Sequence, residues 1–540
     1  MYKCLFTIFY FFIIVNAYAQ NIAGAAVPVQ SAIQRPKLVV GIIVDQMRWD
    51  YLYRYNNLYA SDGGFKRLLG KGFSCENTFI PYTPTVTASG HAGIYTGTVP
   101  AINGITGNDW WDYDLNKFVY CTGDDSVKTI GSNTTLGQMS PHNLLSTTIG
   151  DELRLATNFK SKVIGVAIKD RGAILSAGHS ANAAYWYDSK TGDWISSSYY
   201  LNELPKWVTD VNTKKLADKY YAQDWNLLYP VTSYEQSAPA AKGFAHPLKQ
   251  YATKNYGVLP ATPFGNSFTF DMAIAAINGE QLGGRSVTDM LTVSLSSPDY
   301  IGHAYGPNSM EAEDGFLRLD KDLGDFLNFL DIKIGQGEYL VFLSADHGAA
   351  SVPAFLKEHK IPAGNFDNEK AGEEINRLLK EKTNIDDLVA GILNYQVYLN
   401  RSVINAAKLN KDSVNQWVIR YLLHQAGVER AFALETLSGT TLNAKLKEVL
   451  GNGYYPKRSG DIQIVLQPQW IDGFLKGGTT HGVWNPYDAH IPLLWYGWNI
   501  HAGATNREIY MTDVAATLAS MLLIQMPSGS IGRVIEEVIK

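Results

Sequence analysis

The sequence predicts an α/β fold: a central, mostly parallel sheet flanked by helices, with inserted capping segments. Three observations carry this reading. The runs 38–44 and 339–345 are apolar at nearly every position, the pattern of strands buried on both faces. Such runs alternate with helical patterns, as a layered sheet requires. Each of the two runs also closes on an aspartate, Asp45 and Asp346. In an open α/β sheet the ligand crevice lies beyond the carboxyl ends of the strands, so acidic residues placed there face one cleft.

Along the chain, strands are expected at 38–45, 163–168 (Val-Ile-Gly-Val-Ala-Ile), 290–296, 339–345 and 491–496, with helices at 63–70, 309–331 and 511–523. Between about 185 and 284 the composition shifts to Tyr, Trp, Asn and Ser, with Trp186, Trp194, Trp207 and Trp225 among weakly periodic neighbours. This stretch reads as an insertion that caps or lines the cleft. A second stretch, about 351–460, carries a helical pattern from Ala371 to Lys382 and a strand-like Gln-Val-Tyr-Leu at 396–399. It reads as a second insertion, or more simply as surface elaboration.

Residues 1–19 carry Lys3, an apolar core from Leu5 to Val15 and Ala17-Tyr18-Ala19, which fits a cleaved secretory signal. The core is too short for a membrane span, and Cys4 precedes it, which is not where a lipid-bearing cysteine sits. The protein is therefore expected in the periplasm or outside the cell, with no stable membrane anchor. Loss of Lys3 with the signal moves the net charge from −5 to −6, so no nucleic-acid-binding surface is implied. Cys75 and Cys121 remain, enough for a single disulfide in an exported chain and too few for a thiolate zinc site.

Six residues of metal-ligand type stand at strand ends or in loops: Asp45, Asp299, His303, Asp346, His347 and His481. Asp299 and His303 are four apart, so a helical turn brings both to one metal. Asp346 and His347 diverge in a continuing strand and converge only where it breaks, which Gly348 allows. His481 lies in the polar loop Gly477-Gly478-Thr479-Thr480-His481-Gly482, where a core histidine has no role. Most other histidines, His91 among them, read as surface or structural, and His490 as orienting the strand after it. Two divalent cations roughly 3.5–4 Å apart suit in-line displacement at phosphorus.

A nucleophile should lie nearby. The run from Pro84 to Gly97 reads as a loop entering a helix, whose N-terminus favours a phosphate. Thr85, Thr87 and Ser89 all qualify as hydroxyl nucleophiles, and nothing in their residue types chooses among them. Lys169 and Arg171 follow the strand 163–168 and, spaced by two, project to one side of an extended chain, where they would meet phosphoryl oxygens. Asn108 can donate a hydrogen bond to the same oxygens.

Together these motifs resemble the alkaline phosphatase superfamily, in its nucleotide pyrophosphatase/phosphodiesterase-like branch, and within it the PafA-type bacterial alkaline phosphatases. The resemblance rests on Asp45, Pro84-Thr85-Val86-Thr87, Gly104-Ile105-Thr106-Gly107-Asn108, Asp299 with His303, Asp346-His347-Gly348 and Thr480-His481-Gly482, and runs over most of residues 20–540. It implies an alkaline phosphatase-like catalytic domain with two zinc ions, Thr87 as nucleophile, Asp299, His303 and His481 on one zinc, and Asp45, Asp346 and His347 on the other, with the Thr87 oxygen reaching the second. Lys169, Arg171 and Asn108 would surround a dianionic phosphoryl group, as in monoesterases of the family. Close diesterase relatives carry Phe-Pro-Asn where this chain has Ala88-Ser89-Gly90, a departure that bears on substrate choice.

The expected reaction is hydrolysis of phosphate monoesters of broad specificity through a phosphothreonine, with activity rising into alkaline pH. The alternative is a phosphodiesterase or nucleotide pyrophosphatase of the same superfamily. A sulfatase would need a Cys/Ser-x-Pro-x-Arg run, which is missing, and a phosphoglycerate mutase would be cytoplasmic and use Ser. A metal-stabilised binding protein without turnover is the reading from another class.

Overall fold

The computed structural model describes residues 34–236, 244–473 and 478–539; the signal expected at 1–19 lies outside the described residues. Ten strands form the main sheet: β1 (Leu38–Val44), β2 (Phe73–Cys75), β3 (Thr129–Ile130), β4 (Val163–Ala167), β5 (Ala183–Asp188), β6 (Asp193–Ser197), β7 (Asp289–Leu295), β8 (Tyr339–Ser344), β9 (Leu493–Gly497) and β10 (Gly503–Thr505). They are ordered β10-β2-β9-β8-β1-β7-β4-β5-β6-β3. The central run β8-β1-β7-β4-β5 is parallel, and antiparallel pairings flank it, β9 with β8 and β2 on one side and β6 with β5 and β3 on the other. β1 takes the middle because nothing polar interrupts it. Its six aliphatic side chains have no exposed surface, and burying each contributes about 1.5–3 kcal/mol.

The helices expected from periodicity appear as α1 (Gly64–Lys71), α6 (Met310–Leu330) and α7 (Asp513–Leu522), joined by α2 (Thr87–Thr96), α3 (Asp170–Ala177), α4 (Phe264–Glu280) and α5 (Ser297–Tyr305). Two of them start where the parallel strands deliver the chain to the cleft, α3 with two residues intervening after β4 and α5 with one after β7, and α2 lies beside them, packed on α3.

The stretch 185–284 differs from the cap expected of it. β5 and β6 extend the main sheet, and α4 packs on β7. Trp186 and Trp194 are 1% exposed core residues, so much of the aromatic enrichment reflects burial between strand and helix. The stretches 198–236 and 244–263 carry two short helices, Lys206–Thr213 and Leu216–Tyr221, and are tied to α6 by Asp314, which accepts bonds from Trp225 Nε1 and Leu228 N, both at 2.7 Å.

The stretch 351–460 is more than surface decoration. Its strands Val389–Leu393, Gln396–Leu399 and Val428–Ala433, with Ile462–Leu466, form a separate antiparallel sheet, with its own core around Ile375, Leu379, Val397, Val414 and Val418. It leans on the cleft: Asn394 Nδ2 donates to Asp109 O at 3.1 Å, and Tyr395 OH to His481 O at 3.4 Å. Cys75 and Cys121 are separate buried thiols, not a disulfide, in different hydrophobic clusters. Burial pushes the Cys75 thiol up to about 12.

Candidate active site

The carboxylates Asp45, Asp299 and Asp346, from beyond the ends of β1, β7 and β8, converge in one buried spot, each at most 3% exposed. Asp299 and His303 share α5, as their spacing predicts, and lie 3.1 Å apart from Oδ1 to Nε2. His481 Nε2 approaches the same Oδ1 at 3.6 Å. His347 Nε2 faces Asp45 Oδ1 at 3.4 Å and Asp346 Oδ2 at 3.6 Å, and its ring stacks on His481 at 3.5 Å between centroids. β8 ends at Ser344, so the break that lets Asp346 and His347 converge comes four residues before Gly348, not at it.

All three histidines are turned the same way. The Nδ1 of His303 lies 2.8 Å from Thr479 O, that of His347 2.9 Å from Gly348 O and that of His481 2.7 Å from Thr85 O. Because a carbonyl only accepts, each Nδ1 carries a proton, and each Nε2 is turned toward the carboxylates. This is the arrangement of metal-binding imidazoles.

The three hydroxyl candidates separate cleanly. Thr85 Oγ1 donates to Val483 O at 2.9 Å and Ser89 Oγ to Ile105 O at 2.8 Å, both buried. Thr87, the first residue of α2, turns its Oγ1 to Lys169 Nζ at 3.4 Å. Gly90 lets this helix approach the end of β8: a Cβ on it would stand 2.5 Å from the Asp346 carbonyl oxygen.

Lys169 and Arg171 are not on an extended chain. Lys169 caps α3 and Arg171 lies in its first turn, so the side-by-side projection of a strand does not apply. Lys169 Nζ nonetheless enters the site, donating to Asp45 Oδ2 at 2.7 Å and to Asp299 Oδ2. Arg171 Nη1 donates to Tyr120 OH at 3.0 Å, while Tyr120 OH donates to Asp170 Oδ1 at 2.9 Å. Arg171 Nε is buried with no hydrogen-bond partner. Asn108 Oδ1 accepts from Ala88 N at 3.0 Å, which orients its amide at the start of α2. The N-termini of α2 and α3 thus meet at one place, where their dipoles favour an anion.

Sequence reasoning missed four residues here. Gln46 bonds both Asp299 and Asp346. Tyr120 holds Arg171, and Tyr300 lies 5.2 Å under Lys169 Nζ. His91, among the histidines read as surface or structural, is fully buried, with Nδ1 2.8 Å from Thr87 O and 3.4 Å from Asp346 Oδ2. Its place four residues after Thr87, on one helical face, was the available signal. His490 Nε2 lies 2.9 Å from Glu76 O, at the start of the strand it was expected to orient.

The electrostatics describe a site short of positive charge. Burial raises Asp346 well above the usual carboxylate range, and neighbouring Asp45 adds to it. Burial also works against Asp299, yet His303 and Lys169 outweigh it and hold that carboxyl well below its usual range. Asp45 Oδ1, Asp346 Oδ2 and His347 Nε2 are buried without hydrogen-bond partners. Unpaired lone pairs of this kind are costly unless a cation takes them. The sets Asp299, His303, His481 and Asp45, Asp299, His347 each place their ligand atoms within 4.8 Å of one another. Asp299 therefore touches both groups, and Asp346 faces the second through His347. Three imidazoles and three carboxylates, without a thiolate, fit divalent zinc.

Beneath the His481 loop, Asp488 is fully buried, its Oδ2 accepting from Val483 N at 2.9 Å. Burial raises this carboxyl to about 8. A group bound more tightly to its proton in the folded state stabilises the fold below its unfolded pKa, about 4, and that stability is lost as pH climbs through about 8. Asp488→Asn should therefore flatten the loss of Tm between pH 5 and 9; an unchanged slope in a thermal melt series would sink this assignment.

Residues 39–484 match the family model described as type I phosphodiesterase/nucleotide pyrophosphatase. The chain is 51% identical over 529 residues to alkaline phosphatase PhoV of Synechococcus elongatus, covering 94% of each. It is 50% identical over 531 residues to a Myroides odoratus protein named calcium-transporting ATPase, covering 95% of this chain and 97% of that one. Alkaline phosphatase PafA of Elizabethkingia meningoseptica is 49% identical over 524 residues, 94% of this chain and 95% of that one. A PafA crystal structure superposes with a TM-score of 0.92 at 48% identity, covering 94% of this chain and all of that one. A solved PafA variant is replaced at one threonine, one asparagine, one lysine and one arginine.

Proposed function

The chain belongs to the type I phosphodiesterase/nucleotide pyrophosphatase family of the alkaline phosphatase superfamily, and we propose that it is a zinc-dependent alkaline phosphatase that hydrolyses phosphate monoesters through Thr87. The observation that carries this is the meeting of Thr87 Oγ1, Lys169 Nζ and the carboxylates Asp45 and Asp299 at the N-termini of α2 and α3. The substitution of one Thr, Asn, Lys and Arg in the solved PafA variant supports giving roles to Thr87, Asn108, Lys169 and Arg171.

Asp299, His303 and His481 would hold one zinc ion and Asp45, Asp346 and His347 the other, with Thr87 Oγ1 toward the second. Bound zinc would supply Lewis acidity, lowering the pKa of a hydroxyl and stabilising a leaving oxygen. Thr87 Oγ, its proton given up to solvent, attacks phosphorus in line; the new O–P bond forms as the bond to the alcohol oxygen breaks, the alcohol takes a proton from solvent, and a phosphothreonine results. Lys169, Arg171 and the Asn108 amide hold the non-bridging oxygens. Water then attacks the same phosphorus, the Oγ–P bond breaks, and phosphate leaves with Thr87 regenerated.

Two cationic side chains beside the site favour a dianionic monoester over a diester, which has one charge and a second organic group. The test is kcat/KM of the zinc-loaded protein for an aryl phosphate and the matching methyl diester. Lys169→Ala and Arg171→Ala should each lower the monoester value by about 10²–10³-fold, the scale for losing one donor to a developing oxyanion, and the diester value far less. A diester preference that both variants leave intact would move the protein to the phosphodiesterase reading. The calcium-transporting ATPase name contributes phosphoryl chemistry to this reading and no transport. Periplasmic or secreted placement rests on the leader at 1–19; among the described residues no helix is long and apolar enough to cross a membrane.

A further inference from the structure

We infer that Gln46 is the positioning residue of the Asp299 metal site, its side-chain amide fixing the carboxylate oxygen that faces His303 and His481. Gln46 directly follows Asp45 where the chain leaves β1, and its φ is +64°. That left-handed conformation favours glycine, and a long side chain holds it only where the surroundings compensate. Here they do. Gln46 is 4% exposed; its backbone N donates to Asp346 Oδ1 at 3.1 Å and its Nε2 to Asp299 Oδ1 at 2.6 Å. One residue thus reaches two of the carboxylates and is bonded in sequence to the third.

The opposite wall is shaped to admit the amide. Gly302, on α5 between Asp299 and His303, faces it so closely that a Cβ there would lie 1.8 Å from Gln46 Oε1. Asp299 Oδ1 is also the oxygen 3.1 Å from His303 Nε2 and 3.6 Å from His481 Nε2. With one lone pair of that oxygen tied to the amide, the carboxylate cannot rotate away from the two imidazoles. Outer partners of metal ligands act in this way, orienting the ligand before the ion arrives.

The inference rests on the two-zinc reading, and its test separates the two. Zn²⁺ affinities of the metal-free full chain are measured by competition with a coloured chelator for wild type, Gln46→Gly, Gln46→Asn and Gly302→Ala, alongside Tm and the kcat/KM split. Gln46→Gly suits the backbone and removes the amide; Gln46→Asn tolerates the backbone and falls one methylene short of Asp299; Gly302→Ala crowds the amide. All three should weaken one Zn²⁺ by about 10–100-fold and the other far less, with Gln46→Gly melting at or above wild type. Turnover should fall at limiting zinc through kcat, with KM little changed, and return as zinc is raised. Gln46→Gly binding both ions as tightly as wild type overturns the inference. Wild type binding no Zn²⁺ overturns the metal reading itself, and the role of Gln46 with it.

Discussion

Thr87→Ala is expected to abolish turnover, lowering kcat/KM for an aryl phosphate by on the order of 10⁴–10⁶-fold, the scale seen when a covalent nucleophile is deleted. The loss should be chemical and not structural. Among the described residues the hydrogen-bond partner of Thr87 Oγ1 is Lys169, at 3.4 Å, so the hydroxyl ties no backbone group of the fold, whereas the hydroxyls of Thr85 and Ser89 bond backbone carbonyls. Tm and Zn²⁺ content should match wild type, and Thr87→Ser should retain part of the activity. Thr87→Ala that still turns over, with Thr85→Val or Ser89→Ala inactive at unchanged Tm, would reassign the nucleophile. A binding protein without catalysis would lose nothing in any of them.

Removal of metal should be nearly as severe. Asp45, Asp299 and Asp346 lie buried together, with Lys169 the ammonium partner of Asp45 and Asp299, and burial and the neighbouring Asp45 push Asp346 upward. Dialysis against a strong chelator should abolish activity and lower Tm by several degrees, since a ligand present at about 100–1,000 times its Kd adds about 2.7–4.1 kcal/mol to folding. Zn²⁺ should restore both. The Tm gap between loaded and stripped protein should widen as pH rises. Asp346, whose folded pKa is raised, contributes stability to the stripped protein that is lost as pH climbs through that value, and zinc binds the deprotonated ligands. A stripped protein with full activity and unchanged Tm would refute the metal site.

Much of this site was legible because strands deliver it. Asp45 and Asp346 follow apolar runs that become neighbouring parallel strands, and Asp299 with His303 needed nothing beyond the period of a helix. His481 stood out as a histidine in a polar, glycine-rich loop. What the sequence hid depends on contacts between distant residues. Gln46 acts on Asp299, 253 positions away, and Tyr120, at the end of the hairpin formed by Asp109–Asp112 and Lys117–Tyr120, accepts from Arg171 in a docking that no local pattern announces. Lys169 and Arg171 were expected side by side on an extended chain, but α3 begins at Asp170 and ends the extended chain there. Tryptophans at 186 and 194 suggested a cap since composition cannot tell a buried strand edge from a cleft lining.

The most direct test of covalent transfer through Thr87 is the stereochemical course at phosphorus. A monoester made chiral with oxygen isotopes is turned over in the presence of an alcohol acceptor, and the configuration of the transferred phosphoryl group is read by NMR. Two successive in-line displacements, onto Thr87 and off it, predict overall retention. Inversion would mean that water or the acceptor attacks the substrate directly, and would contradict a phosphothreonine on the path.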